Sequence, residues 1–269
     1  MVRVGAIIQV RLGSERLPNK ALLPLPFGGG LSLLEHVVAR ARAAARLQEV
    51  VVATTENAAD NAIEAFCSTH ALACFRGSKD NVLDRFLRAA RQYQLDVVVR
   101  LTGDNPFVMP ETIDQAVEEH LEKGADYTIT EGLPLGTNVE VVSMTALERA
   151  AQEATEAADR EHVTPFIRRE KGFARQSIAY TSPISSLRLT IDYPSDYALA
   201  SLLYERLSHI RPDFTHSDIA GLLEQHPWLY GVNAENTQRK AFASEEEELS
   251  AARALLQAGG FTRSLQKLQ

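Results

Sequence analysis

The sequence is poor in the residues that mark secreted or metal-stabilised proteins. It contains two cysteines, Cys67 and Cys74, in 269 residues. This pair supplies neither a disulfide framework nor a metal-binding spacing, so we expect a reducing compartment, the cytoplasm. No apolar run approaches the roughly 20 residues of a membrane span, and Arg11 interrupts the N-terminal apolar stretch too early for a signal peptide. The sequence thus predicts no contact with a membrane.

An excess of positive charge is also missing. The chain has 28 Lys and Arg residues against 35 Asp and Glu, a net charge of −7, so its surface as a whole does not favour nucleic acid. Its apolar share of 45% and charged share of 23% are typical of a globular protein. A chain of this length most often forms one large domain. We expect that domain over residues 1–240, with halves at about 1–125 and 126–210, and a helical extension over 241–269.

Apolar stretches alternate between strand and helix periodicity over the first 125 residues. We expect strands at 3–10, 49–55, 73–75 and 96–102, and helices at 32–46, 58–70, 80–93 and 110–124. Asp80 is the expected cap of the third helix, and Gly124 follows the fourth. Helices between strands imply right-handed crossovers. The pattern predicts an α/β protein whose mostly parallel, Rossmann-like sheet carries helices on both faces.

The regular alternation of predicted strands and helices ends after residue 125. We expect strands at 126–130, 138–142, 176–180 and 187–191, and helices at about 145–156, 195–208 and 244–260. Ser244 and Glu247 have the spacing of a capping box for the last helix. Residues 209–243 show no clear pattern. Short strands joined by Gly- and Pro-containing links predict a smaller antiparallel arm, which often makes a subunit contact.

The first strand ends in a cationic loop. In residues 7–20, IIQVRLGSERLPNK, the apolar run gives way to Arg11, Gly13, Ser14, Arg16 and Lys20. Ligands of open α/β sheets bind beyond the carboxyl ends of strands, and three cations near a flexible Gly and a hydroxyl suit a polyphosphate. The loop matches neither of the two common phosphate-binding patterns. The simpler alternative is a solvated basic loop.

Two aspartates also follow predicted strands. Asp104 comes after Gly103 at the end of 96–102, and Asp192 follows 187–191 and precedes Pro194. Each alone is compatible with a helix cap or a turn. Together, at one edge of a sheet, they suit a hard cation, because Mg²⁺ is usually held by one or two carboxylates and by substrate phosphates. We therefore expect Mg²⁺ or Mn²⁺ on Asp104 and Asp192.

The loop R-x-G-S-x-R-L-P-x-K resembles the signature of a group of sugar-activating cytidylyltransferases. These are the relatives of CMP-Kdo synthetase and acylneuraminate cytidylyltransferase, and the chain is most similar to the spore coat polysaccharide protein F type. The resemblance extends over roughly residues 3–200. It implies a GT-A-like nucleotidyltransferase fold. It also implies that Gly103-Asp104 and Asp192-Tyr193-Pro194 are the family's magnesium motifs.

The resemblance assigns further residues to the two substrates. Thr54 and Thr55 in ATT, and Asp80 and Asn81 in GSKDNVLDRF, join Gly13 and Ser14 on the nucleotide side. As strand-end and helix-start residues, they need no such role. Asn138 and Glu140 in PLGTNVEV, and Arg160 and His162 in ADREHVTPFI, lie on the sugar side, with Arg168 and Arg169 nearby. Asn138 replaces the Asp that is usual there. On residue type alone, 159–162 is equally compatible with a solvated helix end.

The expected activity is that of a cytidylyltransferase. CTP and an anionic sugar or sugar-like acid would give a CMP-conjugate and pyrophosphate, for surface polysaccharide synthesis. Arg11, Arg16 and Lys20 would stabilise the charge of the leaving pyrophosphate. A homodimer is expected, since the second half resembles a pairing arm. Two alternatives stay open: a nucleotide-sugar-dependent glycosyltransferase, against which the lack of a D-x-D motif counts, and a non-catalytic nucleotide-binding protein of a polysaccharide pathway.

Overall fold

A computed structural model of the chain describes residues 2–238 and 245–267. One seven-stranded sheet forms its centre, in the order β3-β2-β1-β4-β6-β5-β7. The strands are β1 Val4–Gln9, β2 Glu49–Thr55, β3 Ala73–Gly77, β4 Val97–Thr102, β5 Tyr127–Glu131, β6 Glu140–Ser143 and β7 Arg175–Ala179. The apolar runs of β1, β2 and β4 are buried on both faces, as parallel strands between two helical layers require.

The first half of the sheet is entirely parallel. β1 pairs with β2 on one side and with β4 on the other, and β2 pairs with β3. The chain therefore moves outward from β1 to β3 and then returns to the opposite side of β1. The carboxyl ends of β1 and β4 lie next to each other at this reversal, which is where open α/β sheets bind ligands.

The second half extends the same sheet. β6 runs antiparallel to both of its neighbours, β4 and β5, and β7 pairs with β5 in parallel. The predicted mostly parallel sheet with an antiparallel addition is confirmed, and the antiparallel element is an interior strand.

The strand predicted at 187–191 was wrong. These residues are buried, but the segment is joined to residues 134–137 by a single bridge, Leu135 to Arg188. The neighbouring loop cannot continue a ladder, because Pro134 has no amide hydrogen and Gly136 has a φ of +96°. A Cβ on Gly136 would lie 2.6 Å from the Thr190 nitrogen, so the two segments touch backbone to backbone.

Helices cover both faces of the sheet. They are α1 Leu33–Ala43, α2 Asn61–Thr69, α3 Val82–Gln92, α4 Pro110–Glu122, α5 Met144–Glu153, α6 Ala157–His162, α7 Pro165–Arg169, α8 Pro194–Ser208, α9 His216–Gln225, α10 Glu245–Ala258 and α11 Thr262–Gln266. On one face of the sheet, Ile8 and the other buried strand residues pack with α1, α4, α8 and α9 in one core. Ile7, which points to the opposite face, packs with α3, α5 and α7 in a second core.

Helix starts differ from the sequence predictions in two places. Asn81, not Asp80, caps α3, since its side chain accepts a hydrogen bond from the Asp84 nitrogen at 3.0 Å. The segment 209–243 contains α9, which begins with a Thr215–Asp218 capping box that our reading of the sequence missed. The predicted Ser244–Glu247 box lies outside the residues whose side chains are described. Within the described ranges, every helix is too short or too polar to cross a membrane.

Candidate active site

The loop after β1 brings Lys20 between two carboxylates. Lys20 begins a short 3-10 turn, and its Nζ donates to Asp104 Oδ2 at 2.8 Å, Asp192 Oδ1 at 2.8 Å and the Ile191 carbonyl oxygen at 2.7 Å. Its side chain is 12% exposed. Burial alone lowers the pKa of Lys20, but the charges of Asp104 and Asp192 outweigh burial, and the pKa is raised. The amine of Lys20 therefore carries a positive charge at neutral pH, at the centre of this cluster.

Asp104 is placed by the close contact of β1 and β4. A Cβ on the preceding Gly103 would lie 2.8 Å from Val10 Cγ2, and the Gly103 nitrogen donates to the Gln9 carbonyl oxygen at 2.8 Å. Only glycine allows the chain to turn this close to β1. The other oxygen of Asp104, Oδ1, accepts from the Thr102 hydroxyl at 2.5 Å.

Asp192 reaches the same point from the end of the buried segment 187–191. Its Oδ2 accepts from Arg188 Nη2 at 2.6 Å, and Arg16 Nη2 lies 3.7 Å from its Oδ1. Burial opposes ionisation of Asp192, but Lys20, Arg16 and Arg188 together hold its pKa below the ordinary value. Asp192 is thus a carboxylate at neutral pH and a weak base.

Arg16 is held at the rim of the cluster. Its guanidinium lies 4.4 Å from the centre of the Tyr193 ring, a cation–π contact. Burial lowers the pKa of Arg16, but the Tyr193 hydrogen bond and the charge of Asp192 raise it above its ordinary value. Its Nη1 is a buried donor with no partner in the described residues. A donor held in this way is free to bind an oxygen of a ligand.

The two carboxylates approach one common point, well inside the separation of about 10 Å at which they could not share a metal ion. Asp104 Oδ2 and Asp192 Oδ1 each lie 2.8 Å from the same nitrogen, so they are within twice that distance of each other. No cluster of three or more His, Cys, Asp or Glu ligands occurs in the described ranges. The pair therefore fits a divalent cation only of the kind whose remaining ligands are water and substrate phosphates, as is usual for Mg²⁺.

The strand-end threonines are buried behind the cationic loop. Thr55 donates its hydroxyl to Asp60, whose other oxygen accepts from the Leu12 nitrogen at 2.8 Å. Thr55 is thus occupied in joining β2 to the loop, which differs from the expected contact with nucleotide. The Thr54 hydroxyl is buried and has no partner among the described residues.

Arg85 is a cation that our reading of the sequence missed. It lies in the first turn of α3, is 3% exposed, and donates from Nη1 to the Ser78 carbonyl oxygen at 2.8 Å, while its Nε has no partner in the described part of the chain. Burial and the nearby charge of Arg11 lower the pKa of Arg85 to about 10. In the sequence, Arg85 lies between the apolar residues Leu83 and Phe86, and this position was the available signal that its side chain is buried. Two neighbouring guanidinium groups favour an anion beside them.

The other predicted nucleotide-side residues lie around this edge of the sheet. Arg11 and Gly13 are exposed, and a Cβ on Gly13 would meet nothing within 4 Å. Ser14 is half-buried, and its nitrogen donates to the Leu12 carbonyl oxygen at 2.8 Å. Asp80 is exposed, and the side chain of Asn81 is used to cap α3.

Glu140 is buried among protein donors. Its carboxylate accepts from Arg100, from the Tyr127 hydroxyl and from the Thr164 hydroxyl, the last at 2.8 Å. Burial raises its pKa, but Arg100 and these hydrogen bonds outweigh burial and lower it. This differs from the expected direct contact with a sugar. Asn138, in contrast, has a buried Oδ1 with no partner among the described residues, an acceptor available to a hydroxyl donor.

The segment predicted to face the sugar forms α6, α7 and a strained turn between them. Val163 has φ 71° and ψ −53°, and the Thr164 nitrogen donates to the His162 carbonyl oxygen at 2.8 Å, which closes a γ-turn. Arg160 is exposed and His162 half-buried. Arg169 is paired through both terminal nitrogens with the buried Asp159, so it is not free to oppose a sugar carboxylate as expected.

The structure brings one group of the predicted residues together and leaves Arg160 and His162 outside it. Lys20, Asp104, Asp192 and Arg16 form one cluster, which the sequence predicted to converge. No hydrogen bond or ion pair within residues 2–238 and 245–267 links that cluster directly to Arg160 or His162. An indirect chain of hydrogen bonds connects the two regions. Thr164 contacts Glu140, Arg100 bridges Glu140 to the Gln9 side chain at 3.3 Å, and Gln9 accepts from the Gly103 nitrogen.

Comparisons with known proteins identify the family and the fold of the chain. The sequence model of a family described as Cytidylyltransferase matches residues 5–226. The Bacillus subtilis spore coat polysaccharide biosynthesis protein SpsF is 38% identical over 231 residues, which cover 82% of this chain and 94% of SpsF. A solved cytidylyltransferase from Leptospira borgpetersenii superimposes with a TM-score of 0.78 at 27% identity, over 89% of this chain and 100% of the other. A CMP:2-keto-3-deoxy-manno-octonic acid synthetase, solved with CTP, shares the fold at 17% identity, with a TM-score of 0.58 over 76% and 99% of the chains.

Proposed function

The chain belongs to the cytidylyltransferase family and is thus a nucleotidyltransferase, and from that premise we propose that it transfers CMP from CTP to an anionic sugar or sugar-like acid. The observation that carries the proposal is the cluster at the end of β1 and β4, in which Lys20 is hydrogen-bonded to Asp104 and Asp192. A hydroxyl oxygen of the acceptor attacks the α-phosphorus of CTP and loses its proton to water, and the bond from that phosphorus to the pyrophosphate oxygen breaks.

The protein's contribution is to hold the reactants in line and to stabilise charge. Arg11 and Arg16 carry donors at the rim of the site, and Arg16 keeps one buried nitrogen without a partner. These groups, with Lys20, bind the β- and γ-phosphates and stabilise the negative charge that grows on the leaving pyrophosphate. Gly13 and Ser14 allow the loop to approach the phosphates closely. Thr54 and Asn81 lie on the nucleotide side, and Thr55 and Asp60 keep the loop in place.

Asp104 and Asp192 would hold Mg²⁺ or Mn²⁺, cations that usually take water and substrate phosphates as further ligands. A related structure, at 15% identity, is of a protein in complex with manganese. Such a cation offsets negative charge at the α-phosphate when it is bound. Lys20 has its ammonium group between the same two carboxylates. For a cation to bind there, the Lys20 ammonium would have to leave the two carboxylates, which its flexible side chain allows.

The acceptor side is formed by the second half of the chain. The buried, unpartnered Oδ1 of Asn138 accepts from a sugar hydroxyl, and the exposed Arg160 and the half-buried His162 oppose a carboxylate. Glu140 acts from behind these residues by fixing Thr164 and Arg100. The spore coat polysaccharide name of the relative supports a role in surface polysaccharide synthesis.

We also expect the active form to be a C₂ homodimer in which the second half of one subunit covers the site of its partner. Light scattering then gives about twice the chain mass of 29.6 kDa. A fully active enzyme at the mass of one chain would contradict the shared site.

The test follows the release of pyrophosphate. The purified protein is mixed with Mg²⁺, a panel of sugar acids and each of CTP, UTP, ATP and GTP, with Asp104→Asn as the matched variant. We expect release with CTP and at least one acceptor, and release that is slower by about 10²–10³ with the variant. A glycosyltransferase uses no free CTP, and a binding protein binds CTP without turnover. Either result would contradict the proposal.

A further inference from the structure

The residues that follow a 3-10 turn at Pro227–Gly231 lie beside the cluster of Lys20, Asp104 and Asp192. Residues 233–238, here called the strap, lie beyond the part of the chain that the family model matches, residues 5–226. Four of them nevertheless contact the segment 188–196, which contains Asp192.

Two asparagines of the strap bind a buried carboxylate. Asn233 Nδ2 donates to Asp196 Oδ1 at 2.9 Å and to the Arg188 carbonyl oxygen at 2.9 Å. Asn236 Nδ2 donates to the same Asp196 oxygen at 2.7 Å. Asp196 is 2% exposed and Asn233 is 3% exposed. Because buried hydrogen bonds of this kind are costly to break, the strap is fixed on Asp196.

The end of the strap binds the side chains beside Asp192. Gln238 Oε1 accepts from Arg188 Nη1 at 2.6 Å. The Tyr193 hydroxyl donates to the Thr237 carbonyl oxygen at 3.2 Å, and the Tyr193 ring in turn stacks on Arg16. The strap thus contacts Arg188 and Tyr193, which are the neighbours of the Asp192 carboxylate and of Arg16.

Arg188 connects the strap to Asp192. Its Nε donates to Asp196 at 3.0 Å, its Nη1 to Gln238 and its Nη2 to Asp192 Oδ2 at 2.6 Å. Asp196 also accepts from the main-chain nitrogen of Asp192 at 2.9 Å. Capping of α8 explains the contact of Asp196 with the backbone, but it does not require a guanidinium group whose three nitrogens end on three different side chains.

We propose that the strap is a positioning element of the active site. By holding Arg188 and Asp196, it orients the carboxylate of Asp192 so that one oxygen, Oδ1, stays directed at the cation position now taken by the Lys20 ammonium. The inference rests on the proposed function and adds residues 233–238 to the site.

The variant Gln238→Met removes the acceptor of Arg188 Nη1 and keeps the length of the side chain. Since small displacements of a positioned group cost rate, we expect kcat with CTP to fall about tenfold, while KM for CTP changes less than about twofold. Gln238 is an exposed residue, so the thermal midpoint should stay within about 2 °C of the wild type, a shift typical of surface changes. Gln238→Glu keeps an acceptor and should restore most of the rate. Gln225→Met, at the exposed end of α9, is the matched control.

A second measurement does not depend on turnover. Electron paramagnetic resonance measures the concentration of free Mn²⁺ in the presence of the protein and α,β-methylene-CTP. The measurement is made with the wild type, Gln238→Met and Arg188→Lys. We expect weaker Mn²⁺ binding by at least about fivefold in both variants, since neither keeps the three-way contact of Arg188. Wild-type kcat and Mn²⁺ affinity in Gln238→Met would overturn the proposal, and so would a loss of rate accompanied by a large fall in thermal midpoint. If the wild type releases no pyrophosphate from CTP, the proposed function fails, and the Mn²⁺ titration still decides the role of the strap.

Discussion

Replacing Lys20 by Met should destabilise the protein as well as inactivate it. The Nζ atom binds three oxygens, two of them carboxylate oxygens at 2.8 Å, and the side chains of Lys20, Asp104 and Asp192 are 12%, 25% and 14% exposed. Without the ammonium, two negative charges about 5 Å apart repel each other by about 3 kcal/mol at an effective dielectric constant of about 20. Removing one partner of a fully buried ion pair costs about 3–5 kcal/mol. Because this cluster is partly exposed, we expect a loss of about 2–4 kcal/mol at pH 7.

The loss should depend on pH in a defined direction. In the wild type the pKa of Asp192 is held below its ordinary value, so its contribution is present at neutral pH and is lost as the pH falls through the carboxylate range. The difference between the wild type and Lys20→Met should therefore be greatest near pH 7 and shrink below about pH 4. Urea unfolding at pH 7 and below about pH 4 measures this difference in the free energy of unfolding. Lys123→Met, an exposed residue at the end of α4, should change the free energy of unfolding by less than about 0.5 kcal/mol. Equal stability of Lys20→Met and wild type at pH 7, or a loss that is the same at both pH values, would refute the reasoning.

Three further results are expected. Asp104→Asn and Asp192→Asn should each lower kcat by about 10²–10³, and full wild-type activity in excess chelator would contradict their role as metal ligands. Arg160→Ala should raise KM for the sugar acid and leave KM for CTP nearly unchanged, and the opposite pattern in a steady-state assay would assign this segment to the nucleotide. Burial lowers the pKa of His120 to about 4, so the unfolded chain binds a proton below about pH 6.5 that the folded chain does not. Stability should then fall from pH 6.5 to 4 by on the order of 1–3 kcal/mol, and His120→Asn should lack this component in unfolding measured across the range.

The central sheet and the cationic loop were predictable from local patterns. The runs that form β1, β2 and β4 are apolar and flanked by helical periodicity, and a parallel sheet brings strand ends to one edge. That rule correctly predicted that Asp104 lies beside the loop that carries Lys20. Asp192 reaches the same edge from the segment 187–191, which is not a strand, so its place was predicted from a wrong element. The family, the fold and the enzymatic class, which the resemblance implied, are confirmed.

The remaining features depend on contacts between distant residues. The family resemblance assigned Glu140 to the sugar side, and only the presence of Arg100, Tyr127 and Thr164 around it shows that its carboxylate is occupied. The segment 187–191 has the composition of a strand but lies beside a loop that cannot pair with it beyond Leu135. The strap contacts Asp196 from about 40 positions later in the chain, a distance at which no periodic pattern carries information.

The most direct test of the central claim is to locate the α-phosphorus of CTP after the reaction. The enzyme is incubated with Mg²⁺, a sugar acid that supports pyrophosphate release and CTP labelled at either the α- or the γ-phosphorus, and the products are separated. The account predicts that the α-label appears in a CMP-conjugate of the acceptor, that the γ-label appears in pyrophosphate, and that Lys20→Met slows both by about 10²–10³. An α-label recovered in free CMP alone, or an acceptor that carries the γ-label, would contradict the claim that this cluster transfers CMP.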